Sequence, residues 1–242
     1  MPFTFSHPAA VLPLRYLPKK WFSLTGLVIG SMVPDFEYFI RMKVESIYSH
    51  TWPGLFWFDL PLALALMLIY NALIKNRLID HLPIFLNRRF SGFKNTSNVH
   101  SKYLVIIISI LIGAASHILW DDFTHPTGYF VLHTPILKHP VFMFHHKFLL
   151  YNILQQLSSL IGALIILVAI WLLPLGKSTA HKPIIYYWLI VAAIAVIIIG
   201  IRLFTGLAIK QYGDIIVTAI SGLLIGLIVA SIVTKKAGST VV

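Results

Sequence analysis

The stretch YLVIIISILIGAASHILWDDFTHP, residues 103–126, begins as a membrane helix and then places His117, Asp121, Asp122 and His125 within nine positions of one another. Its first half decides the fold class, because such a run recurs. About 20 consecutive apolar residues are needed to cross a bilayer core. The segments 53–74, 103–120, 149–175, 184–201 and 213–233 all meet that length. Composition agrees: 58% of the 242 residues are hydrophobic and 11% charged, whereas about a quarter of a soluble domain is charged. The chain therefore reads as an all-α integral membrane protein with about five transmembrane helices.

Upstream of the spans, WFSLTGLVIGSMV (21–33) is shorter and ends at Pro34, which disfavours helical geometry at Val33 and starts a new element. HPAAVLPLRYLPKK (7–20) has prolines at 8, 13 and 18 and predicts a short, broken helix. Together they predict an N-terminal re-entrant helical hairpin that dips into the membrane without crossing it. No basic n-region or small-residue cleavage site marks a signal peptide, so the first methionine is expected to stay. We divide the chain into a membrane-embedded metal-site domain, 1–175, and a two-helix C-terminal scaffold, 176–242. In the scaffold Gly222 and Gly226 favour close helix packing.

Lys and Arg exceed Asp and Glu by 19 to 8, but they flank the apolar runs, where anionic headgroups attract them. Membrane lipids, and not nucleic acid, are the partners this implies. The loop 75–102 carries six cations, Lys75, Arg77, Arg88, Arg89, Lys94 and Lys102, against Lys138 and Lys147 alone in 121–148. The basic loop should be cytoplasmic. If the hairpin tip with Arg15, Lys19 and Lys20 stays outside, the two faces come close to balance and the rule hardly discriminates.

That topology gathers six of the eight acids, Asp35, Glu37, Glu45, Asp59, Asp121 and Asp122, at the exoplasmic face with His50, His117 and His125. On a helix, residues 117, 121 and 125 are each rotated by about 40° from the last and share one face. VPDFEYF sets Asp35 in the first turn after Pro34, YSHTWPG delivers His50 just before a span, and a hairpin would return His7 to the same side. The expected metal ligands are His7, Asp35, His50, His117 and Asp121, with Asp59, Asp122 and His125 around them. There is no cysteine, so any metal is held by nitrogen and oxygen. Imidazole and carboxylate suit zinc first, with manganese, iron or magnesium as alternatives. A divalent ion would offset clustered carboxylates near lipid and could activate water for hydrolysis.

At these positions the chain resembles a known group. PFTFSHPAAVLPLRYLP, GSMVPDFEYF, SHTWPGLFWFDLP, GAASHILWDDFTHPTG and LLYNILQQLSS resemble the bacterial domain-of-unknown-function family forty-one eighty-four over the first two thirds of the chain, with residues after about 176 carrying none of it. More distantly, the order His, PDxD, THS, SHxxxD is similar to LexA-regulated inner-membrane proteins described as metal-dependent hydrolases, a group compared with zinc-dependent phospholipase C and single-strand nucleases. Carried over, their His, Asp, His, His and Asp fall on His7, Asp35, His50, His117 and Asp121. Glu37 stands where that pattern has its second acid, and SIYSHT replaces its HRG before THS. The resemblance implies a bacterial cytoplasmic-membrane protein.

The leading expectation is a metal-dependent hydrolase acting on a phosphoester or lipid-borne bond, with Asp59, Glu37 or Asp122 as general base. One alternative is an ion or proton-coupled transporter, disfavoured because no repeat relates the two halves. The other is a non-catalytic protein whose His/Asp cluster only joins helices. Asn152, Gln155, Gln156, Ser158 and Ser159 read as interhelical glue. The aromatic, histidine-rich loop 125–148 reads as an interfacial lid, whose His133, His139, His145 and His146 stay outside the centre.

Overall fold

A computed structural model describes residues 3–18, 20–94, 103–143, 145–179 and 184–237. Lys19 at the expected hairpin tip and Lys102 of the basic loop lie outside the described residues. Among the described residues, five helices are long and apolar enough to cross a membrane: Leu55–Asp80, Tyr103–His133, Leu150–Trp171, Ile184–Phe204 and Tyr212–Thr234. This is a multi-pass membrane protein.

The chain folds as two compact units. The first comprises Met1–Asp35, Tyr48–Leu64 and Asn98–Trp171. It opens with α1 (Pro8–Val11), flanked by 3-10 turns at Thr4–Ser6 and Leu12–Tyr16, as the prolines require. Then α2 (Leu24–Met32) starts on Ser23, whose side chain accepts from Gly26 N, and passes into a 3-10 turn at Val33–Asp35. The nine residues of α2 rise only about 14 Å, against a bilayer core about 30 Å thick, and α2 is not among the five candidate spans. Short α3 (Phe36–Arg41) follows and belongs to the second unit.

The first span begins with a π-helical turn, Leu55–Asp59, and continues as α4 (Leu60–Ile69). Pro61 cannot donate to the carbonyl four residues back, and a widened turn just before it relieves that mismatch. A second π turn, Tyr70–Ile74, leads into α5 (Lys75–Asp80) and then α6 (Ile84–Phe90). The span thus outruns its expected end at 74, because Lys75 Nζ reaches back to Asn71 Oδ1 at 3.1 Å and the charged turn stays helical.

In the first unit α7 (Tyr103–Thr124) runs on past residue 120. It packs on α2 through glycines: a Cβ at Gly30 would collide with Ile110 O, and one at Gly113 would meet Leu27 O at 2.5 Å. The GLVIG of 26–30 is the small-xxx-small signal for such an approach. Next comes α8 (Tyr129–His133), and after it two short strands, β1 (Pro140–Met143) and β2 (His146–Leu149), that the all-helical expectation did not include in an otherwise helical fold. The strands pair antiparallel from Pro140↔Leu149 to Met143↔His146. They lie outside the five spans, where water can satisfy an open sheet edge, and His145 takes φ 64° beside the turn. The unit closes with α9 (Leu150–Trp171), whose Ser159 binds the N-terminal segment: Phe3 N donates to its Oγ (3.0 Å) and Ser6 Oγ to its carbonyl (2.8 Å). Ser158 Oγ accepts from Trp120 Nε1 at 3.1 Å, so both serines join helices.

The second unit comprises Phe36–Ile47, Ala65–Ser97 and Leu172–Val242. Its centre is the pair α10 (Ile184–Phe204) and α11 (Tyr212–Ala237). A Cβ at Gly222 would lie 2.8 Å from Ala195 Cα, and one at Gly226 would lie 2.8 Å from Val191 O, as expected of small residues at a helix contact. Tyr187, Val191 and Ala230 form the buried core there, and Tyr187 Oη meets Ser231 Oγ at 3.1 Å.

Candidate metal centre

Three pieces of the first unit converge on α7: the N-terminal turns, the end of α2, and the approach to the first span. Asp35, His50, His117 and Asp121 each bring one ligand atom to within 4.8 Å of the others. His50 Nε2 lies 3.3 Å from Asp35 Oδ1 and 3.4 Å from Asp121 Oδ2, and His117 Nε2 lies 3.5 Å from both. Asp35 and His117 are fully buried and Asp121 nearly so. This is a buried His/Asp cluster that could bind a metal.

The outer atoms of these side chains are spoken for, and the inner ones are not. His117 Nδ1 donates to Ser31 O at 2.7 Å, which fixes the tautomer with a bare lone pair on Nε2. Ser49 Oγ lies 2.9 Å from His50 Nδ1, and Thr4 Oγ1 donates to Asp35 Oδ2. By contrast Asp35 Oδ1, His117 Nε2 and both Asp121 oxygens are buried without a hydrogen-bond partner. Orphaned buried carboxylate oxygens are costly unless something else satisfies them.

A divalent ion fits on two counts. Two ligands on a tetrahedral zinc, each about 2.0–2.2 Å from it, stand about 3.3–3.6 Å apart; four of the six pairs among these ligand atoms, the His–Asp pairs, have that spacing, and every pair lies within 4.8 Å. Two carboxylates with two neutral imidazoles also balance a charge of +2. His50 has φ 56°, a left-handed conformation uncommon for a non-glycine residue, and this backbone sets the direction of its ring.

The other expected residues fall in different places. His7, 1% exposed, stacks on His117 with ring centroids 3.6 Å apart, and its Nε2 is 3.6 Å from Asp121 Oδ1. Neither of its ring nitrogens has a hydrogen-bond partner. Burial, and then the adjacent His117, push its pKa down to about 3, so it is neutral. For Asp35, burial acts to raise the pKa, but His117 and His50, when protonated, outweigh it and hold the carboxyl below its usual range. His125 continues the helical ridge, its N–H donating to Asp121 O at 2.8 Å and its Nδ1 lying 3.4 Å from Asp121 Oδ2.

Asp59 is fully buried on the π turn, and that turn packs against α7. Asp122 Oδ1 accepts from Tyr129 N at 3.0 Å and so holds the start of α8. Glu37 belongs to the second unit, where its Oε1 accepts from Arg41 Nε (2.8 Å) and Ile47 N (2.9 Å). Sequence reading missed the outer partners Thr4, Ser31 and Ser49. Ser31 contributes only a backbone carbonyl, which no residue type announces.

No curated protein and no solved structure matches this chain. A family described as Domain of unknown function (DUF4184) does, over residues 1–232. The match runs through α10 and most of α11, which corrects the expectation that the resemblance ends near residue 176. Since it covers nearly the whole sequence, the chain belongs to the DUF4184 family.

Proposed function

We propose that the protein is a membrane-embedded, metal-dependent hydrolase acting on a phosphoester or related lipid-borne bond. The observation that carries this reading is the set of buried, hydrogen-bond-free atoms on Asp35, His117 and Asp121, with Asp35 and His117 held from their far sides by Thr4 Oγ1 and the Ser31 carbonyl. Asp35, His50, His117 and Asp121 would hold the ion, and His7 would back His117 by stacking. A divalent ion there would supply Lewis acidity toward a phosphoryl or carbonyl oxygen and a water of lowered pKa, and zinc suits the donor set. The chain's own part is to orient these ligands in a poorly hydrated site and to remove a proton from the attacking water.

Asp59 is the best of the three carboxylates for that proton. It is buried on a turn against α7, whereas Asp122 caps α8 and Glu37 serves Arg41 and Ile47. π turns within helices are also frequent at functional sites. Asp59→Asn should lower hydrolysis of bis(p-nitrophenyl) phosphate by about 10²–10⁴-fold, the usual worth of a general base, with metal content unchanged. Equal rates in wild type and variant would remove Asp59 from the reaction, and no hydrolysis by a metal-loaded wild type would remove the hydrolase.

We further propose that the centre faces the exoplasm, with α6 at the cytoplasmic side. The chain has no cysteine, so single probes are clean. On intact cells an impermeant maleimide should label Thr127→Cys, and should label Ser91→Cys only after lysis. The reverse pattern would invert the orientation and leave the centre as it is.

A further inference from the structure

The second unit contains a cavity of about 400 Å³ at the end of the first span, lined in part by Asn71, Asn76, Arg77, Asp80 and Lys94. Its one carboxylate is already neutralised: Lys94 Nζ donates to Asp80 Oδ1 at 2.6 Å, with the Asp80 side chain 5% exposed. What remains is the charge of Arg77. This side chain is half-buried, and among the described residues no carboxylate pairs with it. A guanidinium withdrawn from water without an anion is unfavourable, and its planar fork of donors matches a phosphate's oxygens.

The position suits such a ligand. Asp80 is the last residue of the span Leu55–Asp80, so Arg77 lies at the depth where headgroups meet the acyl layer. The next helix, α6, packs against α5 and exposes Ile84 (64%) and Phe85 (45%), apolar side chains that settle into an interface. Anionic headgroups also attract basic residues at span ends.

We propose that this cavity binds a phosphate group, presented by an anionic phospholipid or as the free ion, with Arg77 as its principal ligand. The full chain in phosphatidylcholine nanodiscs tests it in two arms. Retention of added phosphatidylglycerol is read by native mass spectrometry, and binding of inorganic phosphate by calorimetry. Arg77→Gln should weaken binding in the productive arm by at least about tenfold. Arg77→Lys, which keeps the charge and loses the fork, should weaken it less. Arg15→Gln, which removes a cation beside Tyr16 on the N-terminal segment, should change nothing. Retained phosphatidylglycerol identifies a lipid site, and phosphate binding alone identifies a site for the free ion. A wild type that binds neither, or binding equal in wild type, Arg77→Gln and Arg15→Gln, overturns the proposal.

Discussion

Replacing His117 with alanine is expected to empty the metal centre while leaving a folded, membrane-inserted protein. Its Nε2 faces both Asp35 and Asp121 at 3.5 Å, so like His50 it is shared by both carboxylates, and unlike His50 it is fully buried. Losing even an outer partner of a metal ligand costs about 10–100-fold in affinity, so losing the ligand should cost at least about 100-fold. Insertion persists because α7 keeps its apolar length. Asp121→Ala should act alike, and His125→Ala, at the rim of the ridge, should do less. If the cluster only joins helices, either change leaves its partners unsatisfied and costs about 1–3 kcal/mol of stability, with metal content the same as in wild type. Elemental analysis and thermal unfolding on the same preparations separate the two. A wild type that never carries metal, even when purified with zinc or manganese, removes the basis of the hydrolase reading.

Parts of this site were legible because they rest on local periodicity. His117 and Asp121 are one helical turn apart in a run whose apolar length already dictates a helix, so their shared face follows from geometry alone. The spans were legible for the same reason, and their ends were not. Lys75 and Asp80 look like loop residues until Lys75 is seen bonding back to Asn71 within the helix. His50 was recognisable as a ligand type, but its direction depends on a left-handed backbone that a non-glycine residue does not advertise. Asp122 read as a candidate base beside Asp121. One residue further along the helix it is turned by about 100°, and there it holds Tyr129 N. The short hairpin of β1 and β2 sat within a loop read as a lid, where eight strand residues are too few for a period to stand out. His7 reaches the centre because α9 ties down the N-terminal segment through Ser159, a contact separated by more than 150 positions in sequence.

The close approach of α2 and α7 makes a second large effect testable, with opposite signs for one chemical change. A Cβ at Gly30 would collide with Ile110 O and stand 2.8 Å from its Cα and 2.9 Å from its carbonyl carbon, all backbone atoms that cannot rotate away. Gly30→Ala should therefore push the helices apart and destabilise the protein by about 1–3 kcal/mol, more than offsetting the gain of about 0.5–1 kcal/mol that alanine brings to a helix interior. The displacement falls beside the centre, since the neighbouring Ser31 carbonyl fixes His117 Nδ1. Metal affinity should then drop about 10–100-fold, as for loss of an outer partner, at temperatures well below the melting point. Gly200→Ala in α10 is the matched control, because nothing lies within 4 Å of its added Cβ, and it should raise Tm by the helix-propensity gain alone. A Gly30→Ala protein that melts like wild type and binds metal equally well would show that the contact of α2 with α7 does not set the centre's geometry. A lowered Tm with unchanged metal affinity would separate the packing of the two helices from the orientation of His117.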